Sequence, residues 1–314
     1  MNNTSVVTMF TLSGFDSITE HRFILFALTF VFYCVIVQVN VTLIVIIIID
    51  KSLHEPMFIF ICNLCINALY RTAGFYPKFL MDILSDSHVI SYAGCFVQSL
   101  VVTSSTCVDF SFLVLMAYDR YVAICRPLVY HSVMNTQRVS VLVFAAWFVP
   151  VVQMLVIIIS TSTIRLCSSK ISRVYCVTYA KRRLECSVSI TTVLFPAFMI
   201  TFYLCLFLLV IYSYFHIMKT CLTSKDDRIK FLQTCLPHLM SFIVMSMCLL
   251  FDILHEGFSS ERIPESARNF IAIQFLLVPP LINPLIYGLK LNKVRNRINR
   301  FMCRKRNIVK CSTV

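Results

Sequence analysis

Residues 116–125, MAYDRYVAIC, close a long apolar run with an acid, an arginine and a phenol in succession: Asp119, Arg120 and Tyr121. A carboxylate beside a guanidinium keeps both groups charged and restrains the arginine. The chemistry on offer is an ion pair that can be made and broken. A second acid, Asp109, stands eleven residues earlier in the same run. A lone carboxylate in lipid either neutralises or finds a partner. Nothing resembles an enzyme centre: His238 is isolated, and no HExxH spacing or nucleophile–base pair occurs. No cofactor is implied. Of 15 cysteines, Cys95, Cys167, Cys176 and Cys186 lie outside or at the edge of apolar runs. Four cysteines allow three pairings, and spacing does not choose among them. Cys62 and Cys65 form a CxxC inside an apolar run, which reads as small core residues rather than a redox or metal pair.

The elements that must position these groups are membrane helices. The chain has 314 residues, 58% hydrophobic and 14% charged, with a mean hydropathy of +0.81. So little polar surface could not cover a soluble core of that size. Only 5 glycines and 10 prolines argue against an all-β fold, and the apolar stretches are unbroken rather than alternating. A bilayer core of roughly 30 Å takes about 20 apolar helical residues. Seven stretches qualify: Phe23–Ile49, Pro56–Leu80, Ala93–Ile124, Val139–Ser162, Val188–Met218, Gln233–His255 and Asn269–Leu289. Arg71 and Lys78 are placed near one end of the second, where Arg71 can snorkel to the headgroups. Prolines within or near the spans are tolerated where neighbours satisfy the freed carbonyls. Met1 to Glu20 is polar, without the apolar core of a removable signal peptide.

The net charge of +13 reflects basic residues crowded at the ends of apolar segments, which indicates topology rather than nucleic-acid binding. With the C-terminus inside, the inner segments hold 17 of the 28 Lys and Arg. The expected fold is therefore an all-α, seven-transmembrane helix bundle in a single domain. The extracellular N-terminus covers 1–22, the bundle 23–289 and the cytoplasmic tail 290–314. Overlapping glycosylation acceptors at Asn2 and Asn3 agree with an outer N-terminus. In the tail, Val294, Ile298 and Phe301 fall at helical spacing among basic residues. That reads as a short amphipathic helix on anionic lipid, with Cys303 open to palmitoylation.

Five motifs in order carry a family likeness: LHEPMFIF (53–60), MAYDRYVAIC followed by RPLVYHSVMN, KFLQTCLPHL (230–239), PPLINPLIYGLK (279–290), and the three loop cysteines. The chain resembles the odorant receptors among rhodopsin-like G-protein-coupled receptors. CNLCIN and AGFYPKFL look most like the fish-type branch. The resemblance implies a small odorant as ligand and a heterotrimeric G protein of the olfactory, stimulatory type as partner. It further implies a plasma-membrane location in olfactory cilia and no enzymatic activity. It implies bridges Cys95–Cys176 and Cys167–Cys186, pinning the loop as a lid with Lys181, Arg182 and Arg183 over the pocket mouth. It makes Asp119, Arg120 and Tyr121, with Asn283, Pro284 and Tyr287 of NPLIY, the G-protein switch. Pro284 removes a backbone donor and loosens its helix, and Tyr287 can swing towards Arg120 as the bundle opens.

The ligand pocket is expected in the outer half. Ser99, Val102, Thr103 and Thr106 share an inward face of helix three. Asp252, His255 and Asn269 lie near the outer ends of helices six and seven. The helix-two acid usual in the family is replaced by Ala68, beside Asn67, and the aromatic usual partway along helix six is replaced near Ser246. Asp109 is expected to form a polar centre with Asn40 and Asn283, holding a proton in preference to a sodium ion. A rhodopsin-like receptor for a metabolite and a membrane transporter are the alternatives. Against the transporter, the chain shows no internal repeat.

Overall fold

A computed structural model describes residues 8–15, 22–162, 164–177, 184–187, 189–221, 235–257, 265–290, 295 and 297. Among these residues seven long helices follow one another: α1 (Arg22–Ile49), α2 (Pro56–Leu84), α3 (Tyr92–Cys125), α4 (Thr136–Ser162), α5 (Ile190–Cys221), α6 (Leu236–Gly257) and α7 (Glu265–Lys290). The first five are long and apolar enough to cross a membrane throughout; α6 and α7 carry shorter apolar stretches, Leu236–Leu250 and Leu276–Gly288. Pro77, Pro150, Pro196, Pro279, Pro280 and Pro284 all lie inside helices. Pro237, by contrast, sits in the first turn of α6, where its missing donor costs nothing.

The helices do not share the core equally. α2 and α3 are mostly buried, while α5 turns nearly all of its apolar stretch outward. Ile49 is 69% exposed and Ile190 75%. In lipid such exposure is neutral, because acyl chains are as apolar as the side chains they meet. What holds the helices is close packing and polar contact. Trp147 of α4 donates its indole N–H to Asn63 of α2 at 3.0 Å. Gly74 of α2 lies directly against Val101 of α3: an added Cβ would stand 2.3 Å from a Val101 methyl. Small residues at such crossings let backbones approach.

Two expectations need correction here. The fold is not purely helical. Met9–Leu12 forms a strand that pairs antiparallel with Val89–Ser91 and parallel with Lys170–Ile171. Its burial alternates with the strand period, so Phe10 and Leu12 point inward, and Phe15 is buried just after it. The N-terminal segment thus packs three apolar side chains against the bundle without forming a helix. Secondly, Arg71 does not snorkel. α2 runs on to Leu84, which leaves Arg71 near mid-helix and 1% exposed, facing α3.

Candidate functional site

The end of the bundle that carries the sheet is closed by two disulfides. Cys95, in the first turn of α3, is bonded to Cys176 with Cα atoms 5.2 Å apart. Cys167 is bonded to Cys186 within the loop, Cα atoms 4.9 Å apart. Gln98, one turn into α3, accepts the Cys176 amide at 2.8 Å and is itself buried. The loop is therefore tied to α3 twice, once covalently and once by a satisfied polar side chain. Thr11 and Leu12 donate backbone bonds to Ser169 and His88, so the N-terminal strand clamps the same lid. Lys181, Arg182, Arg183, Asn2 and Asn3 lie outside the described residues, as do Val294, Ile298, Phe301 and Cys303.

Below the lid, Ser99, Val102 and Thr106 are buried on one face of α3, and Thr103 is half-buried beside them. Thr106 spends its hydroxyl on the Val102 carbonyl at 3.0 Å. The Ser99 hydroxyl is fully buried and has no protein partner among the described residues. An unmade hydrogen bond of this kind is costly unless something else makes it. The side chains of Asp252, His255 and Asn269 lie outside the described ones.

At mid-bundle the acid of α3 has found a cation. Arg71 donates from its terminal nitrogen to Asp109 Oδ2 at 2.5 Å and from Nε to the Ser105 hydroxyl at 2.8 Å. Asn67 donates to Asp109 Oδ1 at 2.6 Å and to the Ser105 carbonyl at 2.7 Å. The expected polar centre is not assembled. Asn40 instead donates to the Ile36 and Pro280 carbonyls, joining α1 to the α7 prolines, and the buried Asn283 Oδ1 has no protein partner among the described residues. The place expected for a proton or a sodium ion at Asp109 is taken by a guanidinium from the chain itself. Sequence reasoning missed this because Arg71 was assigned to the headgroups. Its helical offset from Asn67, one turn earlier on the same face, was the available signal.

At the far end, Asp119 is fully buried and Arg120 partly so. Arg120 donates to Asp119 Oδ2 from Nε at 2.9 Å and from a terminal nitrogen at 2.5 Å. Tyr130, in a single turn just after α3, donates its hydroxyl to Asp119 Oδ1 at 2.8 Å. Burial, and then the adjacent Asp119 carboxylate, push the Tyr130 phenol up, so it remains a donor. Tyr130 belongs to the RPLVYHSVMN stretch, where nothing in the local sequence marks it as a partner of Asp119. Tyr121 faces His216 of α5, and the Arg126 guanidinium lies over its ring at 6.0 Å. Tyr287 of α7 is wholly buried, its ring 5.3 Å from that of His238 on α6. Both His238 ring nitrogens are buried and have no protein partner among the described residues. Cys62 and Cys65 are buried free thiols, as core residues should be, and no metal-binding cluster occurs among the described residues.

The helical bundle thus carries a disulfide-pinned lid at one end and a caged arginine at the other. The family model described as olfactory receptor matches residues 28–305, and the chain belongs to that family. It is 32% identical to human olfactory receptor 8I2 over 97% of this chain and 98% of that one. To human olfactory receptor 7C1 it is 32% identical over 94% and 92%, and to mouse olfactory receptor 2A7 29% identical over 96% and 97%. The family implies a multi-pass membrane protein that senses odorants and couples to a G protein.

Proposed function

We propose that a small odorant enters beneath the disulfide-pinned lid, and that its binding spreads the helices at the opposite end to free Arg120 for a heterotrimeric G protein of the stimulatory, olfactory type, raising cyclic AMP. On this reading the N-terminus and the lid face outward, with glycan acceptors at Asn2 and Asn3. The whole chain is one receptor domain, and the Arg120 end faces the cytosol of olfactory cilia. Ser99 is the side chain best placed to meet the ligand, since its buried hydroxyl gains a partner there. Asp252, His255 and Asn269 would complete the pocket.

The observation that carries this reading is the cage at Arg120. Its carboxylate is the preceding residue on the same helix, and a second donor, Tyr130, already sits on that carboxylate. Releasing Arg120 therefore leaves Asp119 with one bond intact. The unpartnered ring nitrogens of His238 lie on α6, an element that would move. Buried polar groups without partners favour any rearrangement that supplies them.

A ligand panel read through cyclic AMP in transfected cells tests the proposal, with Arg120→Ala as the control. An odorant should raise cyclic AMP in the parent chain and not in the variant at equal surface level. An undiminished response in Arg120→Ala would overturn the assignment of the switch.

A further inference from the structure

One polar side chain in the bundle has no reason to be where it is. Gln38 sits on the outward face of α1, exposed, and makes no hydrogen bond among the described residues. Counting from Asp50 at the helix end, it is twelve residues in, about 18 Å at 1.5 Å per residue. In a hydrocarbon layer of roughly 30 Å it lies beyond reach of either headgroup region. No other Asn, Gln or charged side chain is exposed in the middle of the described spans. The serines and threonines that face outward on other helices satisfy themselves: Thr201 and Ser213 each donate to the carbonyl four residues back. A carboxamide on lipid with neither backbone nor water to bond is costly.

Its neighbours supply the second observation. Ile24, Leu28, Val31, Val35, Gln38 and Thr42 alternate four and three residues apart, the seam spacing of a coiled coil. The first five are exposed and Thr42 is half-buried. The seam flanks a shallow crevice between α1 and α7, bounded by Val35, Gln38 and Thr42 on one side and Pro284, Leu285 and Gly288 on the other.

We propose that this face of α1 is a self-association surface, on which Gln38 pairs with the same residue of a second copy. A carboxamide carries both donor and acceptor, so two of them across a twofold axis satisfy each other. Copies inserted in the same sense run their α1 helices parallel, which puts equivalent seam positions at equal depth. A single polar residue in an apolar seam then fixes the register. Acyl chains offer Gln38 nothing, and a sterol hydroxyl is anchored at the interface, too far away to reach it.

Energy transfer between two labelled copies of the full receptor in liposomes, over a range of protein-to-lipid ratios, tests this. Gln38→Leu should raise the protein density at half-maximal transfer roughly three- to thirtyfold, the range seen for interhelical polar contacts. Gln38→Asn should retain most of the association. Only protein keeping the Cys95–Cys176 bridge is counted. In a Cys34→Ser background, Val31→Cys should cross-link between copies, whereas Phe30→Cys, which faces another side of α1, should not. Transfer unaffected by Gln38→Leu would overturn the proposal, as would equal cross-linking at both positions.

Discussion

Replacing Arg71 by methionine removes the cation from Asp109 and leaves the volume nearly filled. Both partners are almost completely buried, at 1% and 5% side-chain exposure, so water cannot take over. With charge centres about 4 Å apart, their attraction at an effective dielectric of about 20 is roughly 4 kcal/mol. That attraction roughly offsets the desolvation of two ions, so the intact pair adds little net stability. Breaking it from one side is another matter. The Asp109 carboxylate would keep only its Asn67 bond, and the loss is about 3–5 kcal/mol. Against a total of about 5–15 kcal/mol this removes a large part of the fold's margin. For a chain of this length the melting temperature should fall by roughly 10 °C. Thermal unfolding of purified receptor and surface abundance in cells both read the effect. Asp109→Leu alone should cost a similar amount. The double variant Arg71→Met with Asp109→Leu should recover most of it, since a well-packed apolar pair replaces a buried ion pair at little cost. Single losses that simply add in the double variant would refute a direct Arg71–Asp109 pair.

Four further outcomes follow from the same contacts. Sodium at fixed pH should leave the parent receptor's signalling unchanged, because the Asp109 carboxylate already holds a cation; Arg71→Ala should make signalling sodium-sensitive wherever that variant reaches the surface. Gly74→Ala should destabilise the bundle by about 1–3 kcal/mol, as overpacking does, since its new methyl meets Val101 and pushes α2 from α3; circular-dichroism melts would show it. Tyr130→Phe removes the bond that Asp119 keeps when Arg120 leaves, one to a charged carboxylate worth about 1.5–3 kcal/mol, so release becomes costlier and both ligand-free and ligand-driven cyclic AMP should fall severalfold. The Ser52 hydroxyl holds the Asp50 carboxyl below its usual range, with Arg297 of the tail adding to this. A depressed folded value means the stabilisation is complete above about pH 4, the unfolded range, and fades as pH falls through the folded one. Protease cutting of the tail should therefore be constant near neutrality and increase in acid, while Asp50→Asn should show the increase at pH 7.

The seven helices were legible because each announces itself by length and apolarity, signals that need no tertiary knowledge. Boundaries moved by only a few residues. Arg71 lies close to the midpoint of α2 (Pro56–Leu84), and a charge read as a membrane-surface residue stands at the centre of the polar core because of the face it occupies, towards Asp109 of α3. The N-terminal strand was hidden for a different reason. Strands of two to four residues gain their pairing from segments 80 and 160 residues away, and no local window contains that information. Tyr130 escaped because its partner, Asp119, reaches it only after the chain has turned at the end of α3. The two disulfides sit where the family resemblance put them, a choice the residue spacing alone did not make.

Among the described residues the bundle holds two acid–arginine pairs with a buried acid, and their geometry separates them. Asp109 and Arg71 come from different helices, and Asn67 and Ser105 add bonds across the same boundary. Pulling α2 from α3 would break all of them together and strand two charges in a dry interior, so this pair resists motion. Asp119 and Arg120 are neighbours on one helix, so no helix displacement is needed to part them. A rotation of the Arg120 side chain suffices, the acid keeps Tyr130, and the Arg120 side chain is already 15% exposed. Charge separation is cheap where solvent can follow and expensive where it cannot. The same two residue types thus make a tie between two helices at mid-bundle and, at the bundle's end, a pair within one helix that a side-chain rotation can part.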